Sequence, residues 1–192
     1  MFFLASKRLS RYKLLNQRED LDKAITNFTE SILLLPLSHP LQRGPIIFGP
    51  FLLLAYALFF RSNVSKKIED VIYATKYLSH LRDQPHEIPG SLRHKITASL
   101  VDALALQVQL EAGDVMQNIR EMAVLSRELL ETSDVDATHF IIIIHAVVTS
   151  KIGLDVPDQP LDELIEFLRV ARKRRPDLLD GHMIFATCLV LR

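Results

Sequence analysis

The sequence predicts an all-α protein, a run of helical hairpins in which each unit buries one face against the next. Three observations carry this. Six glycines and nine prolines make up about 8% of 192 residues, below the roughly 12% of average usage and too few for a turn-rich β-architecture. Apolar residues recur at helical spacing, as at Leu21, Ala24, Ile25, Phe28 and Ile32, and no segment alternates with period two. The chain also repeats itself. Glu19-Asp20-Leu21-Asp22-Lys23-Ala24-Ile25 is echoed at 67–72, 115–119 and 161–165, which places Ile25, Ile72, Ile119 and Ile165 at steps of 47, 47 and 46. The same offsets align Leu21 with Ile68, Val115 and Leu161, and Phe28 with Thr75, Met122 and Leu168. Upstream they align Tyr12 with Phe59, Leu106 and Ile152. The expected repeat core is therefore Tyr12, Leu21, Ala24, Ile25, Phe28, Phe59, Ile68, Ile72, Leu106, Val115, Ile119, Met122, Leu161, Ile165 and Leu168.

Taken in order, each unit reads as a long apolar helix followed by a more amphipathic one. The first helices fall near 2–15, 48–62, 92–112 and 137–152, and the second near 20–35, 66–82, 115–131 and 160–174. Asp20, Asp22, Glu69 and Asp70 sit in first turns, where the helix dipole favours negative charge. Arg172-Lys173-Arg174-Arg175 closes the fourth pair and Pro176 stops it. This basic run reads either as a solvated helix end or as a nuclear-localisation or anion-binding patch. Breaks fall at 36–45, 85–90 and 133–134. With 48% apolar residues, 192 residues suffice for one domain, divided into units at about 1–45, 46–90, 91–134 and 135–177. A partial unit, 178–192, forms a last helix without a partner. Both ends read as cut, since the chain starts in Phe2-Phe3-Leu4 and finishes in Leu189-Val190-Leu191. Self-association of uncapped ends is expected.

Ala24 with Pro36 twelve residues on, after Asp20-Leu21-Asp22-Lys23, resembles the second helix of a tetratricopeptide repeat. The longer stretch from Arg11-Tyr12 through Glu19–Ile25 to Leu33-Leu34-Leu35-Pro36 resembles the divergent repeats common in fungal proteins. Such arrays often precede a caspase-like CHAT peptidase domain. The resemblance covers 11–36 in detail and most of the chain in pattern. It implies an α-α superhelix, a tetratricopeptide-like solenoid of about four hairpins plus the terminal helix, with only the repeat part present here. The period exceeds the 34 residues of the standard repeat. The small residue at Ala24 becomes Val71, Asn118 and Leu164, which implies differently angled packing.

Composition narrows the chemistry. Lysine plus arginine and aspartate plus glutamate both number 23, so the net charge is zero and no field draws in phosphate backbones; no nucleic-acid partner is expected. The single cysteine, Cys188, lies in an apolar stretch, with His182 on the wrong face to activate it. His139 and His145 are six residues apart, the wrong spacing for ligation from one helix face, and His80 and His86 flank a loop where only an adventitious metal would sit. Phosphate loops, nucleophile elbows and zinc-protease motifs are missing. The expectation is a non-enzymatic chain with no catalytic residue, cofactor or metal.

Function then follows from architecture. Stacked hairpins line a concave surface with their first helices, and such surfaces bind peptides or helices. Arg8, Arg11, Asp102, His145 and Lys151 are the groove candidates by register, though the reading favoured for His145 is a buried core residue hydrogen-bonded to a neighbouring carbonyl. The expected role is a protein-interaction scaffold, a segment of a larger array, intracellular and cytoplasmic. The alternative is a membrane-associated helical protein using the uncharged segment 46–60, which is shorter than the 18 or so apolar residues that spanning requires.

Overall fold

The computed structural model describes residues 1–34, 45–83, 90–131 and Arg169, and six α-helices are set out among these described residues. They are α1 (Phe2–Leu15), α2 (Arg18–Leu33), α3 (Pro45–Ser65), α4 (Ile68–Arg82), α5 (Gly90–Gln109) and α6 (Val115–Glu131). The described residues contain no strand, and the chain is all-helical there. The expected fourth pair, its core residues Leu161, Ile165 and Leu168, and the helix at 178–192 lie outside the described residues. The chain divides into two compact units, residues 1–99 and 100–192, the division falling within α5.

In the first unit α1 pairs with α2, α3 pairs with α4, and α2 also packs on α3. One apolar cluster joins them: Ala5, Leu9 and Tyr12 from α1, Leu21, Ala24, Ile25 and Phe28 from α2, Leu54, Ala57 and Leu58 from α3, and Ala74 from α4. Phe59 and Phe60 are half-buried against it. Rings bridge the elements at ordinary tilted-pair separations, Phe2 to Phe28 at 5.8 Å and Tyr12 to Phe60 at 6.3 Å between centroids. The segment 46–60 lies within α3, whose Phe48, Leu52, Leu54, Ala55, Ala57 and Leu58 are buried in the protein itself. Among the described residues no helix is long and apolar enough to cross a membrane.

The two hairpins of this unit repeat each other at a step of 50, not 47. Asn16 and Lys66 both adopt left-handed backbone (φ 53° and 57°). Both amides donate at 2.7 Å to the carbonyl four residues back, Tyr12 and Ser62 respectively. Gln17 and Lys67 then have matching extended conformations before α2 and α4. The buried positions follow: Asp20, Leu21, Ala24 and Phe28 in α2 correspond to Asp70, Val71, Ala74 and Leu78 in α4. Ile68, expected in the core opposite Leu21, is therefore 41% exposed at the first position of α4, and Ile72 is only half-buried. Val71 takes the place of Leu21 and is fully buried.

In the second unit, α6 buries Asn118, Ile119, Met122, Ser126 and Leu129, the same spacing again, with 118 at the position of Asp20 and Asp70. Ile119 thus corresponds to Leu21, not to Ile25. Leu106 is buried and Val115 half-buried. The turn before α6 is longer and holds two left-handed residues, Glu111 (φ 52°) and Gly113 (φ 73°); at the latter only glycine avoids strain. Here, unlike in α2 and α4, a side chain caps the helix: Asp114 Oδ1 accepts from the Gln117 amide at 3.0 Å.

Candidate functional site

The polar chemistry of the first unit is concentrated where each first helix meets its second. Arg11, one turn before the end of α1, donates to Asp20 in the first turn of α2: Nε to Oδ2 at 2.5 Å, with Nη2 on Oδ1. This bidentate fork satisfies a carboxylate that is only 2% exposed. The Arg11 hydrogen bond holds the Asp20 carboxyl below the usual carboxylate range, outweighing the opposite effect of burial, and the charge of Arg8 adds to it. The Arg11 guanidinium is raised in turn, chiefly by the same hydrogen bond. On the exposed side of α2, Glu19 is lowered by its hydrogen bond with Lys23 and also feels Arg8.

The second hairpin builds the same clasp. Arg61 Nε donates to Asp70 Oδ2 at 2.6 Å and Nη2 to Oδ1 at 2.8 Å, with Asp70 3% exposed. Arg61 adds a third bond, Nη1 to Asp22 Oδ1 at 3.1 Å, which ties α3 to α2 of the preceding hairpin. The guanidinium is raised by Asp70 first, with Asp22 contributing and burial opposing. In the second unit the clasp is neutral. The Asn118 amide donates from Nδ2 to Gln107 Oε1 at 3.1 Å and to the Ala112 carbonyl at 3.2 Å.

Of the residues expected to line a groove, the structure brings two together. Arg8 is half-buried and Arg11 exposed, both on α1 beside Asp20. Asp102 is half-buried on α5 in the second unit, and His145 and Lys151 lie outside the described residues. An alignment at 47 sets Arg11 opposite Leu58 and so hides the partnership of Arg11 with Asp20. The signal is nonetheless present in the sequence: Arg11 to Asp20 and Arg61 to Asp70 are both nine residues apart. Compared with known proteins, the chain matches no family model, no curated protein and no solved structure.

Proposed function

We propose that the chain is a non-catalytic helical-repeat interaction module, a tetratricopeptide-like solenoid whose stacked hairpins offer extended helix surfaces to a peptide or helix of a partner protein. The observation that carries this reading is the repeated hairpin. Two successive units share clasp, turn and buried positions at a step of 50, and the second helix of one packs on the first helix of the next. A unit of that kind adds surface without adding a catalytic pocket, and its buried carboxylates, Asp20 and Asp70, are committed to arginines. An intracellular location and membership of a longer array belong to the same proposal. The membrane alternative is disfavoured by the burial of the segment's own residues within the first unit.

The test is selection of helical peptides from a displayed random library against the purified chain, with bound peptides mapped by amide hydrogen exchange. The reading predicts saturable binders that protect the first helices α1, α3 or α5. Failure to select any saturable peptide, or co-sedimentation of the chain with lipid vesicles in place of peptide binding, would overturn it.

A further inference from the structure

The step of 50 allows the two first helices of the first unit to be compared position by position. On α3, Leu54, Ala57, Leu58 and Arg61 lie at i, i+3, i+4 and i+7, one helical stripe. The three apolar residues are buried in the cluster shared with α2, and Arg61 reaches Asp22 of that helix. The corresponding stripe of α1 is Leu4, Lys7, Arg8 and Arg11. Leu54 is 2% exposed and Leu4 49%, and the side chain of Arg61 is 22% exposed against 58% for Arg11. Of the four positions that an acidic helix covers on α3, Leu4, Lys7 and Arg11 are exposed on α1 and Arg8 is half-buried.

The open stripe differs from its covered twin in charge. Where α3 has Ala57 and Leu58, α1 has Lys7 and Arg8, and residues 1–18 contain no aspartate or glutamate. Phe3 extends the stripe, with the Lys7 ammonium 4.6 Å from its ring centre. Arg11 commits Nε and Nη2 to Asp20, as Arg61 does to Asp70. Arg61 gives its remaining nitrogen to a carboxylate on a neighbouring helix, and Arg11 makes no second ion pair among the described residues. An occupant therefore needs an apolar stripe to cover Phe3 and Leu4, and more carboxylates than α2 presents to α3.

We propose that the α1 stripe of Leu4, Lys7, Arg8 and Arg11 docks an acidic amphipathic helix of a partner protein, seated on α1 as α2 is seated on α3. The proposal deepens the interaction-module reading by assigning one surface and the chemistry of its partner. It rests on that reading only in taking the partner to be a protein.

The probe is a fluorescein-labelled peptide of about 20 residues, long enough to be helical. It carries leucines at i, i+3, i+4 and i+7 flanked by glutamates, and its control carries lysines in place of the glutamates. Fluorescence anisotropy with the full chain is expected to show saturable binding of the acidic peptide and none of the basic one. Lys7→Glu, at an exposed position outside the core, should weaken the acidic peptide by about tenfold or more and give measurable binding of the basic peptide. Leu4→Asp should weaken both, and unchanged thermal midpoints will show that the variants fold. Equal binding of both peptides, or indifference to both variants, would overturn the proposal. So would depletion of the chain by phosphatidylserine vesicles, lost in Lys7→Glu, without peptide binding, or a concentration-dependent dimer that Lys7→Glu dissolves. If library-selected peptides still protect other helices while the acidic peptide fails, the docking proposal falls and the module reading stands. If neither binds, both fall.

Discussion

Val71→Ala removes two carbons from a fully buried side chain, whereas Ile68→Ala removes three from one that is 41% exposed. The smaller deletion should cost more. At about 0.8 kcal/mol for each buried carbon, Val71→Ala loses about 1.6 kcal/mol of transfer free energy, and the cavity beside the helix pair brings the cost to about 2–3 kcal/mol. Ile68→Ala loses about 1.4 kcal/mol of partial burial and leaves no closed cavity. Alanine's better helix propensity returns a few tenths, for a net cost of about 1 kcal/mol. A repeat step of 47 would put Ile68 in the place of fully buried Leu21, where truncation costs about 2–5 kcal/mol. Urea titrations followed by circular dichroism at fixed pH give both values from one series. A larger cost for Ile68→Ala than for Val71→Ala would refute the step of 50 and the correspondence of clasps built on it.

Three further outcomes are expected. Arg61→Ala leaves Asp70 buried without its fork and should cost about 2–4 kcal/mol. The double replacement Arg61→Gln with Asp70→Asn, which copies the neutral pair of Gln107 and Asn118, should regain more than half of that in the same urea titration. Asp20 has a depressed native pKa, so its contribution to stability is full above its unfolded value of about 3.9 and is lost as pH falls through the lower native value. Urea midpoints between pH 6 and pH 2 should therefore fall less steeply on the acid side for Asp20→Asn than for wild type, and parallel curves would contradict the assignment. Lys66 holds a left-handed conformation that its counterpart Asn16 tolerates better, so Lys66→Asn should add about 0.5–1 kcal/mol, read as a higher thermal midpoint.

The reason the sequence alone suggests the wrong step is itself physical. Columns of apolar residues are insensitive to a shift of three or four positions, because such a shift is about one helical turn and returns to the same face. Aligning Ile25 with Ile72 in place of Thr75 moves α4 by three, and aligning Ile25 with Ile119 in place of Leu21 moves α6 by four. Among the described residues, hydrophobic matching therefore finds the helices, the pairing of α1 with α2 and of α3 with α4, and most of the helix limits, and still displaces the repeat by a turn. Polar groups have no such tolerance, since a buried carboxylate must meet a donor at one position only. Arg11, Asp20, Arg61 and Asp70, with Leu4 and Leu54, Ala5 and Ala55, and Ala24 and Ala74, mark the step of 50 without ambiguity. In the second unit the neutral Gln107–Asn118 pair and its longer turn, eleven residues apart rather than nine, hide the same motif from a search for charges. Which stripe of α1 stays open is not legible in the sequence either, because exposure depends on which helix packs where, and α1 and α3 are both apolar enough at their starts to be covered.

One hairpin stacks on the next as a repeated unit, and contacts between aromatic rings report that stacking. Nuclear Overhauser measurements on a sample with selectively labelled aromatic residues would include an internal control, because Phe2 and Phe28 meet within the first hairpin. Tyr12 and Phe60 meet only if α1 of that hairpin lies beside α3 of the next. Cross-peaks are expected for both ring pairs. A Phe2–Phe28 cross-peak without one between Tyr12 and Phe60 would mean that the hairpins form but do not stack, and would contradict the repeated stacking.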